Sequence, residues 1–320
     1  MLARSLFSLA LVAFLSGTAG AQTTEFPTGT VKILVPFAAG GPTDVVARIL
    51  AEHLSLRWGG KSVIIENRPG AGTIVATAAV AKAPPDGHTL LVATNSLLIN
   101  PAISQSLPYD THKDLAPVTM IATQPVALVA NKSFAPNTVS ELVAFAKTTT
   151  LNYTSPGPRG VGHLAGEWLK QKAGIEMTHI NYNGSTPALT DVMAGRVPIM
   201  FDIWHSAKRF VDAGELKLIA GASADRLAGA PQTPTIAETY PGFNVLAFNA
   251  FVAPAGVPAP VLEKLSADVR AVVGSPAFLE RVKHLGINPY GNTPQELTAW
   301  MRGEIARWQE IAKAANLKAD

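Results

Sequence analysis

Three loops of the sequence combine glycine, proline and hydroxyl side chains directly before a stretch with helical periodicity. They cover residues 36–44, 155–163 and 183–187. Glycine lets the backbone approach a ligand closely, and the free N–H groups of a first helical turn attract anions. Each loop by itself is weak evidence for a ligand site, because ordinary helix capping uses the same residue types and is the favoured interpretation of a single loop. If two or three of them face one cleft, they would hold a carboxylate without a formal positive charge.

Four ionisable side chains in or next to these loops are candidates for ligand contacts, each with a structural alternative. The guanidinium of Arg159 would bind a second carboxylate in a bidentate manner, or it is an exposed loop charge. Asp44 lies in a first helical turn, where a carboxylate complements the helix dipole. Asp202 ends a predicted strand and either accepts hydrogen bonds from a ligand or caps the next helix. His163 either contacts the ligand or packs at the start of a helix.

The sequence lacks the signatures of most catalytic and metal sites. It contains no Cys, and its seven His never occur as an i, i+4 pair or as His-x-His. Nucleotide-binding and hydrolase motifs are absent as well. The net charge of +3 comes from scattered residues rather than from a basic run, which disfavours nucleic acid as a partner. We therefore expect no catalytic residue, no cofactor and no bound metal.

The first 21 residues have the order of a secretory signal peptide. Arg4 precedes an apolar run at residues 6–15, and small residues follow up to Ala21, so that cleavage is expected before Gln22. A membrane anchor is the alternative, but this run is shorter than the ~20 residues of a spanning helix. An exported chain without a lipid-bearing Cys or a second anchor is expected in the periplasm.

Short β-rich apolar runs alternate with segments of helical period, which is the pattern of βα units and an α/β fold. The predicted strands cover residues 31–35, 62–66, 89–93, 118–122, 126–130, 151–154, 177–182, 197–202, 216–220 and 243–253. The part from residue 258 to residue 317 is predicted to be mostly helical. The helix that follows the loop at residues 70–72 is expected to begin within that loop.

The residues between two of these strands, Thr123, Gln124 and Pro125, are interpreted as a hinge at which the chain leaves one domain for another. The run at 243–253 would be the return crossing. This divides the chain into a first lobe of residues 22–123 and 246–320 and a second lobe of residues 124–245. A cleft between two such lobes is a common site for small ligands.

Several motifs together resemble the Bug-type receptors, the extracytoplasmic solute-binding proteins of tripartite tricarboxylate transporters. They are VPFAAGGPTD at 35–44, ENRPGAG at 66–72, PDG at 85–87, TNS at 94–96, Asn100-Pro101, GSTPALTD at 184–191 and MFD at 200–202. The resemblance implies two α/β lobes joined by two crossover strands, a Venus-flytrap periplasmic binding protein of type II-like architecture. It also implies a small carboxylate ligand, a membrane permease as partner and a monomeric receptor.

Carried over by position, the resemblance favours a set of ligand-binding residues, to which Arg159 is added from its place in the second loop. The set consists of Phe37, Ala39, Gly40, Thr43, Asp44, Asn95, Ser96, Ser155, Arg159, Gly160, His163, Asn183, Gly184 and Asp202. Departures from the family pattern suggest an altered pocket with fewer hydroxyl contacts. A larger part of the pocket wall would be apolar, formed by the side chains of Phe37, Leu97 and Trp204. Such a pocket would suit a carboxylate ligand with an apolar body.

Three functions remain open at this point. The first is a non-catalytic receptor that closes on a small organic acid and delivers it to a permease. The second is a periplasmic enzyme on the same two-lobed fold, with Asp202 or His163 as a base. The third is a receptor that feeds a signalling system.

Overall fold

The computed structural model describes residues 25–104, 106–157, 160–182 and 184–314. The predicted signal peptide, Arg159 and Asn183 therefore lie outside the described residues. Within them the strands are β1 (Val31–Val35), β2 (Val63–Asn67), β3 (Thr89–Ala93), β4 (Leu115–Asn131), β5 (Leu151–Thr154), β6 (Met177–Ile180), β7 (Ile199–Ile203), β8 (Leu216–Gly221), β9 (Leu246–Pro254) and β10 (Asn288–Pro289).

The helices separate the strands as the sequence pattern predicted. They are α1 (Pro42–Arg57), α2 (Ile74–Ala81), α3 (Asn95–Ile103), α4 (Val139–Ala146), α5 (Val161–Ala173), α6 (Ser185–Met193), α7 (Trp204–Asp212), α8 (Ile236–Thr239), α9 (Ala259–Val273), α10 (Pro276–Val282) and α11 (Pro294–Ala314). The helix expected from residue 70 begins as one 3-10 turn at Ala71–Thr73, and its α-helical part starts only at Ile74.

The strands are hydrogen-bonded in the order β2-β1-β3-β9-β4-β7-β5-β6, and β8 and β10 also pair with β4. The strands β1, β2 and β3 are parallel, and so are β5, β6 and β7, as βα units require. The first sheet consists of β2, β1, β3, β9, the beginning of β4 and the short strand β10. The second sheet consists of the end of β4 with β7, β5, β6 and β8.

Strand β4 belongs to both sheets. Its residues from Leu115 to Pro125 pair with β9, and those from Val126 onward pair with β7 and β8. The predicted division into two strands is therefore wrong, since Thr123, Gln124 and Pro125 lie inside one continuous strand. Pro125 is tolerated there, although it lacks an N–H, because it stands where the pairing partner of β4 changes.

Two hydrophobic faces of the sheets are covered differently. On one face a shared core extends across both sheets and includes Leu98 of α3, Leu164 of α5 and Trp308 of α11. On the opposite face the packing is divided. The α1–α9 core, with Leu50 of α1, covers the first sheet, and a separate α6–α7 core, with Leu189 of α6, covers the second.

Helix α11 joins the two sheets on the shared-core side. The side chain of Trp308 is fully buried, and its ring lies 6.3 Å from that of Trp168 on α5. The guanidinium of Arg307 lies 4.9 Å from the ring centres of both tryptophans. Trp168 in turn stacks on Phe243, just before β9, with 4.6 Å between the rings. These aromatic contacts connect the C-terminal helix to α5 and to the segment just before β9.

Helix α5 lies unusually close to the second sheet. A Cβ atom at Gly162 would come within 2.5 Å of the carbonyl oxygen of Phe201 on β7, and one at Gly166 would overlap the ring of Tyr153 on β5. The two glycines are four residues apart and so share one face of the helix. This close packing brings the first turn of α5 to the carboxyl ends of β5 and β7.

None of the helices in the described part of the chain combines the length and the apolarity needed to cross a membrane.

Substitution of Gly166 by alanine should destabilise the protein, because the added methyl group displaces the buried Tyr153 ring. We expect a loss of about 1–3 kcal/mol in the free energy of unfolding, measured by urea denaturation. The matched control is Gly303→Ala in α11, where no atom lies within 4 Å of an added Cβ. That change should stabilise the protein by about 0.5–1 kcal/mol. Equal effects of the two substitutions would contradict the close packing of α5.

Candidate ligand-binding site

The buried carboxylate of Asp44 fixes the conformation of the loop between β1 and α1 through hydrogen bonds. Its Oδ2 accepts hydrogen bonds from the N–H of Gly40 (2.8 Å) and from Nε of Arg48 (2.9 Å), and its Oδ1 accepts from Nδ2 of Asn67 (2.8 Å). Burial opposes ionisation, but these hydrogen bonds and the Arg48 charge outweigh it and lower the pKa of Asp44 to about 2. Both carboxylate oxygens are thus used within the protein. Asp44 orders the loop, and Gly40 supports the turn with a φ of 83°.

The residues that this loop presents outward are Phe37, Ala39 and Gly40, all exposed. The carbonyl of Phe37 accepts a hydrogen bond from Asn67 (3.0 Å). Thr43, in the first turn of α1, is half-buried, and its Oγ1 lies 3.5 Å from Nδ2 of Asn249 on β9.

Asn95 attaches the start of α3 to the return strand. Its Nδ2 donates to the carbonyl of Leu246 (2.8 Å) and its Oδ1 accepts from the N–H of Phe248 (3.2 Å), so both ends of the amide are used by β9. Ser96 beside it is half-buried.

The predicted apolar wall is largely wrong. Leu97 is 1% exposed and packs in the shared core, and Trp204 is 6% exposed and packs in the α6–α7 core. Both side chains pack in the interior, because their positions on the helices direct them toward the sheet. Phe37, which is 37% exposed, is the one of the three that faces solvent.

The second-sheet loops are coupled to each other through their backbones. The N–H of Gly184, which has a φ of 115°, donates to the carbonyl of Pro156 (2.6 Å). Gly160 lies at the N-cap of α5, and its carbonyl accepts the first helical hydrogen bond from Leu164. The loop before α5 and the loop before α6 therefore lie next to each other. This proximity is necessary if the two loops form one site.

A buried polar cluster lies beneath these loops. The imidazoles of His163 and His179 stack with 3.9 Å between ring centres, and Nε2 of His179 is 2.8 Å from Oγ of Ser155. Burial lowers the pKa of His179. Glu167 accepts a hydrogen bond from the Tyr153 hydroxyl (2.7 Å), and burial together with this carboxylate raises the pKa of Tyr153. Ser155 is fully buried and supports the loop from below.

Asp202 stands at the carboxyl end of β7 and is 1% exposed. Its Oδ1 accepts hydrogen bonds from the N–H of Ile203 (2.8 Å) and from Oγ of Ser185 (3.0 Å). Its Oδ2 is buried and has no hydrogen-bond partner. Burial raises the pKa of Asp202 to about 7, although the two hydrogen bonds oppose this.

The structure also identifies polar residues that the sequence analysis missed. Asn67, His179 and Ser185 support the candidate residues directly, and Asn249 on β9 has a buried Oδ1 without a partner. Asn249 interrupts the apolar run of residues 246–254, and this polar residue in a buried strand was the available signal.

The described residues contain no group of three or more His, Asp or Glu side chains arranged to hold a metal ion. Hydroxyl groups and helix N-termini are prominent in the site. The free N–H groups of a helix N-terminus attract anions.

Two α/β sheets that share a strand, with helix N-termini at the carboxyl ends of their parallel strands, define the class of two-lobed periplasmic binding proteins. The comparisons identify the family. Residues 46–317 match the model of the tripartite tricarboxylate transporter family receptor, TctC. The chain belongs to this family.

Individual relatives agree with this assignment. The chain is 36% identical to a protein of Bordetella bronchiseptica over 99% of its own length and 94% of that protein. Its structure is similar to that of R. palustris Rpa4515 with adipate, with a TM-score of 0.79 and 34% identity, over 92% of this chain and 99% of the other. The periplasmic binding protein BugD is similar with a TM-score of 0.76 and 32% identity, over 92% and 100% of the two chains.

Asp202→Asn should stabilise the protein at pH 8. With a usual pKa of 3.8 raised to about 7, the buried carboxyl is protonated in the folded protein at pH 5 and ionised at pH 8. Its ionisation at pH 8 opposes folding by roughly 4 kcal/mol, so this destabilisation grows as the pH rises toward 7. Asparagine retains an acceptor for Ile203 and Ser185 without the charge. The melting temperature of the variant should exceed that of the wild type at pH 8, and the difference should become smaller as the pH falls to 5 and then to 4.

The control for this experiment is Asp225→Asn in an exposed loop, which should change neither melting temperature. If Asp202→Asn lowered the melting temperature equally at both pH values, Asp202 would be a structural cap.

Proposed function

We propose that the protein is a periplasmic solute-binding receptor that captures a small organic carboxylate between its lobes and delivers it to a membrane permease of the tripartite tricarboxylate type. The observation that carries the proposal is the placement of helix N-termini at the carboxyl ends of parallel strands in both sheets. Helices α1 and α3 begin at the carboxyl ends of β1 and β3, and α5 and α7 begin at those of β5 and β7. The N–H groups of these first turns form an anion site on either side of the cleft.

Adipate, the compound named with Rpa4515, is a dicarboxylate, which supports the ligand class. The proposed contacts from the first lobe are Phe37, Ala39, Gly40, Thr43 and Ser96, and those from the second lobe are Gly160, His163, Gly184 and Asp202. Asp44, Asn95 and Ser155 act by holding these loops in place, because their polar atoms are occupied within the protein. Arg159 and Asn183, which lie outside the described residues, are included as proposed ligand contacts on the basis of the sequence alone.

The mechanism is closure of two lobes, residues 22–123 with 246–320 and residues 124–245, around the ligand. No covalent step is involved, and a ligand shifts the population toward the closed form by binding it more tightly than the open form. Since β4 is continuous, closure takes place by bending within a paired strand at Thr123–Pro125 and at the return crossing near Val245. Export to the periplasm, a monomeric state and the permease as partner belong to the same proposal.

A second function, catalysis with Asp202 as the general base, is favoured by the pKa of about 7, which is suited to proton transfer at neutral pH. Turnover of a bound acid that is lost in Asp202→Asn would establish it. A ligand that is recovered unchanged after prolonged incubation supports the receptor.

The receptor function predicts that carboxylates raise the melting temperature. At a ligand concentration 100 times the dissociation constant, the stabilisation is about 2.7 kcal/mol, or roughly 5 °C or more. A thermal-shift panel should contain acids of different chain lengths, each paired with its neutral amide as a control. Small-angle scattering should show compaction with every acid that raises the melting temperature.

Two outcomes would contradict the proposal. One is a thermal shift by amides or sugars without a shift by any carboxylate. The other is a tightly bound acid that leaves the radius of gyration unchanged. Native mass spectrometry of the protein purified without denaturation would identify a co-purified ligand directly.

A further inference from the structure

The imidazole of His179 on β6 has two different contacts in the second lobe. Its edge lies against Ser155, with Nε2 2.8 Å from Oγ. Its face stacks on the imidazole of His163 in the first turn of α5, with 3.9 Å between the ring centres and 13° between the planes. One side chain thus supports both the loop that leads into α5 and the first turn of that helix.

The contacts of Ser155 determine where His179 carries its hydrogen. Oγ of Ser155 lies 2.9 Å from the carbonyl oxygen of Gly157, which can only accept a hydrogen bond, so the hydroxyl hydrogen belongs to that contact. The hydroxyl oxygen then accepts from His179, because only this arrangement places a hydrogen in both short contacts. The hydrogen bonds therefore run from Nε2 of His179 to Ser155 and on to the carbonyl of Gly157.

The surroundings of His179 favour the neutral ring. Burial has the largest effect and lowers the pKa of His179, although a hydrogen bond with Asn181 and the charge of Glu167 oppose this. The carboxylate of Glu167 is engaged by the Tyr153 hydroxyl at 2.7 Å and by the ammonium of Lys170 at 2.9 Å. A neutral imidazole has a single N–H, and the hydrogen-bond geometry assigns it to Nε2.

Two consecutive carbonyl groups of the loop before α5 are engaged within the protein. The carbonyl of Gly157 accepts from Ser155, and that of Pro156 accepts from the N–H of Gly184 at 2.6 Å. A carbonyl oxygen that is bound to an internal donor is not directed at a ligand anion, which it would repel. Ser155 is 0% exposed, so water cannot replace His179 as its donor. The orientation of these carbonyls therefore depends on the hydrogen bond from His179.

We propose that His179 is a positioning residue of the ligand site, which orients the loop before α5 through its hydrogen bond to Ser155 and supports His163 through ring stacking. It controls the affinity for an anion without touching it. The donor edge of the ring sets the loop, and the face only fills the space below His163. This inference rests on the proposed receptor function and adds a residue that acts on the same site.

Two substitutions separate the edge of the ring from its face. His179→Phe keeps a flat ring beneath His163 but has no donor, whereas His179→Gln places an amide N–H near the position of Nε2 but has no ring. The probe is adipate, or, if adipate causes no thermal shift, the acid of the panel with the largest shift. By isothermal titration calorimetry, His179→Phe should weaken binding about 3- to 10-fold, as expected for one hydrogen bond, and His179→Gln should stay within about twofold of the wild type.

Ser155→Ala tests the same connection from the other side. It removes the acceptor of the hydrogen bond from His179 and should weaken binding about as much as His179→Phe does. The double variant should bind no more weakly than either single variant, because both substitutions break one connection. The matched controls are Thr178→Ala and His284→Phe, both at exposed positions, and they should bind like the wild type.

Hydrogen exchange followed by NMR tests the loop in the protein without ligand. The amide of Gly184, which donates to Pro156, should exchange about tenfold faster in His179→Phe and at the wild-type rate in His179→Gln. The amides of β4 should exchange at the same rate in all three proteins. An equal acceleration at β4 would mean general destabilisation and would contradict the positioning role.

The outcomes distinguish this inference from the proposed function. If no carboxylate of the panel binds the wild type, the receptor function is wrong, and the exchange of the Gly184 amide alone decides the role of His179. If His179→Phe binds like the wild type, or if His179→Phe and His179→Gln lose affinity equally, the positioning role is overturned and the receptor function stands. Loss in His179→Phe with recovery in His179→Gln supports both.

Discussion

The structure depends on the continuous backbone pairing of β4. Over Leu115–Asn131 the strand is hydrogen-bonded first to β9 and then to β7 and β8, so two sheets are built on one stretch of chain. Because its carbonyls and N–H groups are needed by both sheets, the strand cannot separate into independent segments without exposing unpaired groups. The relative placement of the two sheets, and of every loop at their carboxyl edges, follows from this strand.

The covering of the sheets is asymmetric, and this asymmetry positions the site. The shared core and α11 bind both sheets together on one face through Trp168 and Trp308. On the other face the α1–α9 and α6–α7 cores remain separate. Polar groups with internal partners, such as Asp44 and Asn95, order the loops at the carboxyl ends of β1 and β3.

Much of the fold could be predicted from local sequence. The predicted strands at 31–35, 89–93 and 151–154 agree residue for residue with β1, β3 and β5, since apolar periodicity and flanking Gly and Pro are local signals. The hinge at Thr123–Pro125 was predicted as a break because a polar residue and a proline interrupt the apolar run. It is a strand because β9, and at Thr123 also β10, supplies partners that are distant in sequence. The two-residue strand β10 exists for the same reason, since Asn288 and Pro289 have no strand pattern of their own.

For the site, the sequence by itself predicted which loops bind an anion and, through the motifs they contain, identified the receptor family. Gly and Pro act on their own backbone, and so these properties are readable without a structure. Only the tertiary structure decided which polar atoms are occupied. Both oxygens of Asp44 are occupied by hydrogen bonds from Arg48 and Asn67, and the amide of Asn95 is occupied by Leu246. Asp202 and Asn249, in contrast, each retain an unpaired oxygen. The difference comes from partners that folding brings from other strands and loops, which the order of residues along the chain does not reveal.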